Sequence, residues 1–271
     1  MQMKGETPNL PSKRRPFRPT AWEFHLFYAA GNRPRFLSGI DFYRYVEYPA
    51  VAAELQLEDC ERVLDVGSGA SIFPFSLANA GYQVECLDTF ESVDVERHQW
   101  EMAAQLRMES ALEKITFSRG DACSLSYAGG TFDRISCISM IEHVPAPHDV
   151  RAVSELGRVL RPGGILVFTF PYDESFREAR EPFDLPAGHR LYDDPAIEER
   201  IVRPSGLQLV KKLYFTNRWF DCEKRLWLRL PLRLQRNLGF LMPLLAAASV
   251  AQSAQLCGKT ANAALVVLRK G

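Results

Sequence analysis

The sequence predicts an α/β chain: a doubly wound, mostly parallel seven-stranded sheet with an antiparallel last strand, covered by helices on both faces. Three observations predict it. Short apolar runs alternate with amphipathic helical stretches from residue 61 to about residue 216, the pattern of parallel β-α-β units. The first apolar run, Arg62–Val66, ends in a glycine turn, Gly67-Ser68-Gly69, that opens a helical stretch. Finally, 271 residues with 46% hydrophobic and 24% charged side chains have a globular composition and can bury a sizeable core.

The elements follow in order. Residues 1–20 hold Pro8, Pro11, Pro16 and Pro19 with Lys13, Arg14, Arg15 and Arg18. Few apolar groups offset the ordering entropy there, so a flexible basic tail is expected, without the apolar run of a leader peptide. Residues 21–60 are rich in aromatics, and Pro34 and Gly39 divide them into short helical pieces that form a cap. The core then spans 61–216 and 261–271. Its first strand leads into a helix over 72–80, with Gly81 where a left-handed residue ends a helix. A second strand over 83–87 is closed by Asp88. A helix over 95–112 precedes strands at 115–118 and 132–138. Residues 149–160 place Val150, Val153, Leu156, Val159 and Leu160 on one helical face. Pro162, Gly163 and Gly164 turn the chain into a fifth strand over 165–170. A helix over 196–203 and strands over 207–215 and 263–268 complete the core.

Residues 217–260 exceed what a connection between neighbouring strands needs. Arginines and leucines mix over 223–237, and 238–251 is almost wholly apolar. A helical insertion is expected, with Arg225, Arg229 and Arg233 along one face. Its leucines fit packing on the sheet, self-association, or peripheral contact with an anionic membrane surface. The apolar run is too short to span a bilayer and contains Pro243.

With 33 Lys+Arg against 33 Asp+Glu, the chain has no formal net charge, which argues against a nucleic-acid surface. The six cysteines lie at least 14 residues apart, so no CxxC pair exists. Reduced thiols in a cytoplasmic protein are expected. His25, His98 and His148 lack partners at ligand spacing, and no metal is expected.

The glycine turn carries the chemistry. Side chains at Gly67 or Gly69 would block close approach of a ligand to the backbone, and the helix beyond offers unpaired N–H groups. Asp88, about 20 residues on, suits a ribose diol, or else a helix N-cap or exposed turn. The third glycine of a nicotinamide fingerprint falls on Ile72, which disfavours an oxidoreductase. Asp121, in Gly120-Asp121-Ala122, ends the third strand and suits an exocyclic adenine amine or an ordinary turn.

Together the segments 63–71, 84–88, 120–122, 132–144 and 158–170 resemble the class I S-adenosylmethionine-dependent methyltransferases, particularly the small-molecule, ubiquinone/menaquinone methyltransferase-like group. The resemblance implies a Rossmann-like fold and S-adenosylmethionine as cofactor. It implies that Asp65, Gly67, Ser68 and Gly69 cradle the methionine part, and that Asp88, with Thr89 and Phe90 beside it, holds the ribose. Asp121 and Ala122 would flank the adenine, and Ser139 and Met140 would line the sulfonium side. Ser71 departs from the family, which usually has a third glycine there.

Methyl transfer from a sulfonium is in-line displacement at an activated carbon, governed mainly by proximity and orientation. A base is needed only where the acceptor must lose a proton. His143, in Ile141-Glu142-His143, follows the fourth strand and suits a base or loop packing. His189 and Tyr192 follow the fifth strand and suit acceptor contacts or a surface loop. Tyr43, Arg44 and Tyr45 are candidates to close the pocket from the cap, or to pack in the core like ordinary aromatic cap residues. The expected function is methyl transfer to a small-molecule or lipid-like acceptor. A non-catalytic cofactor-binding scaffold of the same fold is the alternative.

Overall fold

The computed structural model describes residues 16–91, 94–179, 189–256 and 260–271. Most of the expected basic tail and Cys257 lie outside them.

Ten strands are described: β1 Arg62–Val66, β2 Gln83–Asp88, β3 Ile115–Arg119, β4 Phe132–Ile138, β5 Leu160–Pro171, β6 Arg177–Glu178, β7 Arg190–Leu191, β8 Gln208–Asn217, β9 Val250–Ser253 and β10 Ala261–Arg269. Eight form one sheet in the order β3-β2-β1-β4-β5-β10-β8-β9, and β6 with β7 makes a separate ribbon. The first five strands of that order are parallel, and β10 runs antiparallel to β5 and β8. The strand order reverses between β1 and β4, so the ends of β1, β2 and β4 open onto one crevice, where ligands bind in such sheets.

Successive side chains on the strands feed opposite faces. Val63, Cys86, Ile165 and Val167 enter one apolar cluster; Leu64, Leu87, Leu166 and Phe168 enter the other. Burial on both faces is why these strands read as continuous apolar runs.

The sheet has one strand more than the sequence suggests. The apolar run 238–251 divides into a helix and strand β9, which pairs antiparallel with β8 from Asn217↔Val250 to Tyr214↔Ser253. The open edge of β8 offers the backbone partners that draw it out of helix.

The helices are α1 Ala21–Ala29, α2 Arg33–Ser38, α3 Arg44–Glu54, α4 Phe73–Asn79, α5 Val95–Leu106, α6 His148–Val159, α7 Asp194–Ala196, α8 Arg203–Ser205, α9 Cys222–Arg225, α10 Leu232–Leu238 and α11 Met242–Ser249. Pro34 lies in the first turn of α2, where its missing N–H costs nothing. The stretch expected as one helix over 95–112 stops at Leu106, because Arg107 turns left-handed at φ 56°. A π-turn, Ile197–Val202, joins α7 to α8.

Arg225, Arg229 and Arg233 do not share a helical face. Arg225 ends α9, Arg229 ends the 3-10 turn Trp227–Arg229, and Arg233 is in α10 beyond the extended Leu230 and Pro231. Pro231 cannot continue a helix, and Trp227 turns inward to 5% exposure.

Candidate active site

Three cavities open at the strand ends. The first, of 270 Å³, lies between α3 and the glycine turn and is lined by Arg44, Tyr48, Asp65, Gly67, Ser68, Gly69, Ala70, Ser71, Ile138 and Ser139. The second, of 740 Å³, runs past Gly67, Asp88, Thr89, Asp121, Ala122, Ser139 and Met140 to His143 and Arg151. The third, of 470 Å³, lies under α3 and the 217–260 insertion, with Tyr43, Arg44, Glu47, Glu142, His143, His189 and Glu223 in its wall. Ser139 borders all three cavities, and His143 borders the second and third.

The glycine turn is held from below and from β2. The Gly67 N–H donates to the Leu87 carbonyl at 2.8 Å. The Gly69 N–H donates to Asp88 Oδ2 at 3.0 Å, and the Phe90 N–H donates to Oδ1 at 3.3 Å. Both glycines have positive φ, 73° and 44°, a region other residues adopt at a cost. Their steric reasons differ. A Cβ on Gly67 would stand 2.0 Å from Met140 Cγ, whereas one on Gly69 would meet nothing closer than Asp88 Oδ2 at 3.9 Å. Gly67 therefore admits the Met140 side chain, and Gly69 leaves the cavity open.

Asp65 is buried at the end of β1 and accepts a hydrogen bond from Ser136 Oγ at 2.5 Å. Burial pushes its carboxyl up to about 7. Asp121 is exposed at the cavity edge, and its Oδ1 accepts from the Cys123 N–H at 2.8 Å in a tight turn. Ser139, left-handed at φ 46°, donates from Oγ to Glu47 Oε1 at 2.8 Å. Arg44 closes on the same Glu47 at 2.7 Å. Ser71 does more than stand in for a glycine. Its hydroxyl bonds the Tyr48 hydroxyl at 2.9 Å and accepts from the Phe73 N–H at 3.1 Å, tying the cap to the first turn of α4.

His143 and His189 come together, ring centroids 4.0 Å apart and nearly perpendicular. Burial lowers both imidazoles below the usual histidine value; at His143 the positive field of His189, Arg44 and Arg190 adds to it. Both rings are thus neutral near pH 7 and able to take a proton.

The structure turns three of the candidate side chains away from the cavities. Tyr192 is fully buried, faces neither cavity, and packs on Phe170 and Phe176. Its hydroxyl is held between Arg190 at 3.2 Å and Asp149 at 3.5 Å. Tyr45 likewise turns into the core, with its hydroxyl on His25 Nδ1 at 2.7 Å. Phe90 lies behind the site against His98 and Phe117, and serves Asp88 through its backbone.

Tyr48, Glu47, Glu142, Glu223 and His98 escaped the sequence reading. The His98 ring nitrogen Nε2 contacts the Gly69 carbonyl at 3.1 Å, a second clamp on the turn. Glu142 carried a signal, standing beside His143 in the loop after β4. Glu47 and Glu223 looked like ordinary surface helix charges. Among the described residues no group of three or more His, Cys, Asp or Glu could hold a metal ion.

Residues 64–168 match the family described as a methyltransferase domain. The ubiquinone biosynthesis O-methyltransferase of Burkholderia orbicola (strain MC0-3) is 31% identical over 111 residues, 40% of this chain and 44% of the relative. The chain thus spans less than half of such a relative. Among solved structures, the 4+2 cyclase SpnF has a TM-score of 0.55 at 18% identity, covering 93% of this chain and 97% of SpnF. The 1,6-didemethyltoxoflavin-N1-methyltransferase of Burkholderia thailandensis has a TM-score of 0.54 at 15% identity, covering 92% and 86%. These structures share the fold. Over residues 64–168 the chain thus resembles methyltransferases, and the glycine turn held by Asp88 and the strand order accord with that likeness.

Proposed function

We propose that this protein transfers a methyl group from S-adenosylmethionine to a small-molecule or lipid-like acceptor held in the third cavity. The observation that carries the reading is the shared wall of Ser139 and His143 between the second and third cavities, where a donor and an acceptor would meet. The residues present fit the cofactor. Gly69 leaves the backbone open toward the cavity, Asp88 presents a carboxylate at the end of β2, and 740 Å³ lies within the range of small-molecule sites.

The cofactor supplies an activated sulfonium methyl. The chain's own residues orient and shield. Asp88, with Thr89 beside it, accepts from ribose hydroxyls; Asp65, Gly67, Ser68 and Gly69 receive the methionine part; Asp121 and Ala122 border the adenine. Met140, packed against Gly67, fixes the floor at the reacting end. The cap closes over the glycine turn through Tyr48 and Ser71 and excludes water. His143, neutral and backed by His189, takes a proton from an acceptor that must lose one.

The 217–260 insertion supports a peripheral role. Trp219, Leu228 and Leu232 are 72%, 57% and 69% exposed, and Leu228 also lines the third cavity. With Arg225, Arg229 and Arg233 beside them, these side chains suit an anionic lipid surface at the mouth of the acceptor cavity. No helix among the described residues is long and apolar enough to cross a membrane. Five buried cysteines among the described residues, none in a disulfide, favour work in the reducing cytoplasm.

Titration calorimetry with S-adenosylhomocysteine, followed by mass spectrometry of extracts incubated with labelled S-adenosylmethionine, tests the function. Binding with a labelled product supports it. Binding without any product across extracts favours the scaffold alternative.

A further inference from the structure

We propose, resting on the methyltransferase reading above, that the acceptor is an organic amine, held as a cation by the carboxylates of the third cavity and relieved of a proton at His143. The cavity wall carries Asp41, Glu47, Glu142, Asp173 and Glu223 against Arg44, Arg177 and Lys224. Two of these cations are already engaged. Arg44 binds Glu47 at 2.7 Å, and Arg177 binds Asp173 at 2.5 Å. Glu142 stands apart. It is 2% exposed, lines the cavity, and its Oε2 has no hydrogen-bond partner.

A buried carboxylate oxygen without a donor is costly, and a ligand that brings both a donor and a positive charge removes that cost. Glu223 faces the same space. Burial, with Asp41 and Asp221 nearby, pushes its carboxyl up to about 8; burial and Glu47 do the same for Glu142, also to about 8. Two carboxyls that resist ionisation in one cavity are the counterpart of a missing cation. An ammonium supplies charge and up to three N–H donors. A phenol or alcohol supplies one donor and no charge, and a carboxylate or phosphate would be repelled. Tyr43 and Tyr172 add aromatic surface to the wall, which attracts a cation.

The chemistry balances. The bound ammonium passes one proton to the neutral His143 imidazole, which later releases it to solvent. The freed nitrogen lone pair forms the new N–C bond as the C–S bond breaks, and that bond's electron pair stays with sulfur. The products are a methylated ammonium and a neutral thioether.

The test uses the whole chain saturated with S-adenosylhomocysteine. Binding of benzylamine and 2-phenylethylamine is compared with that of benzyl alcohol and 2-phenylethanol by calorimetry, in wild type, Glu142→Gln and Glu223→Gln. In wild type the amines should bind more tightly than the alcohols by roughly 10- to 100-fold, the worth of one charge-assisted hydrogen bond. Glu142→Gln should erase most of that preference and Glu223→Gln part of it, with S-adenosylhomocysteine affinity unchanged in both. Alcohols binding as well as amines, no amine binding at millimolar concentration, or a preference that survives both variants would overturn the proposal. Failure of S-adenosylhomocysteine to bind wild type would instead bring down the donor reading, a result distinct from any of these.

Discussion

Replacing Asp88 by Ala removes two things at once. Its Oδ2 accepts the Gly69 N–H at 3.0 Å, and its Oδ1 accepts the Phe90 N–H at 3.3 Å and the Thr89 hydroxyl at 3.4 Å. The same carboxylate is the proposed acceptor for the ribose hydroxyls. A charge-assisted hydrogen bond is worth about 1.5–3 kcal/mol, and resolvation of the released hydroxyls offsets part of two of them. A net loss of about 2–3 kcal/mol corresponds to a donor affinity weaker by roughly 30- to 150-fold. The scaffold cost is smaller, about 1 kcal/mol, because the Asp88 side chain and Gly69 are only half-buried. Asp88→Asn keeps one acceptor oxygen but turns an amide donor toward either Gly69 or the ribose, so its affinity should fall between the two. Calorimetric titration with S-adenosylhomocysteine and a urea melt of each variant separate the effects. Affinity within twofold of wild type in folded Asp88→Ala refutes the assignment. Equal losses in both variants with collapsed stability would make Asp88 a loop tether only.

Asp65→Asn tests burial. The Asp65 carboxyl moves from 3.8 to about 7 on folding, so its protonated form is favoured in the fold, and stability is lost as pH rises from about 4 through about 7. The variant should gain on wild type across that window, by at most about 4 kcal/mol, and a flat difference in urea midpoints between pH 4 and 8 contradicts this. His143→Gln should cut turnover of a proton-losing acceptor by about 10²- to 10⁴-fold while leaving donor affinity near wild type; parallel loss of both would place His143 in the donor site. Because its pKa is lowered, wild-type activity should hold down to pH 6.5 and fall only below it. Gly157→Ala would push a Cβ to 2.0 Å from the Ser205 carbonyl, whereas Gly163→Ala meets nothing within 4 Å and strains only a φ of 74°; the first should cost about 3 kcal/mol or more and the second about 1–2, and equal urea midpoints would refute the packing argument. Changing Arg225, Arg229 and Arg233 to Glu should abolish co-sedimentation with anionic vesicles at low salt, and binding indifferent to that reversal removes the membrane contact.

The sequence by itself determined the local facts. Apolar runs, amphipathic periods and turn residues name the strands, helices and glycine turn, because these depend on neighbours a few residues away. That is why β1, β4 and the positions of Gly67, Gly69 and Asp88 read directly, and why α4 and α6 start and stop within a residue of expectation. The spacing of Arg225, Arg229 and Arg233 suggested one helical face, and the structure separates them at the end of α9 and again at Leu230 and Pro231. The tertiary structure decided everything that depends on which face a side chain meets. Tyr192 and Tyr45 look from sequence like pocket residues and are drawn into the core, where their rings bury more area. The division of 238–251 into a helix and strand β9 depends on a free edge of β8 that is 33 residues distant at their nearest pair, Asn217 and Val250. The imidazole pair joins His143 to His189 across 46 residues, and the acidic cavity gathers Glu47, Glu142 and Glu223 from the cap, the loop after β4 and the insertion. Such groups meet only after the sheet is assembled, since burial and the field of distant charges, rather than local pattern, set what each can bind.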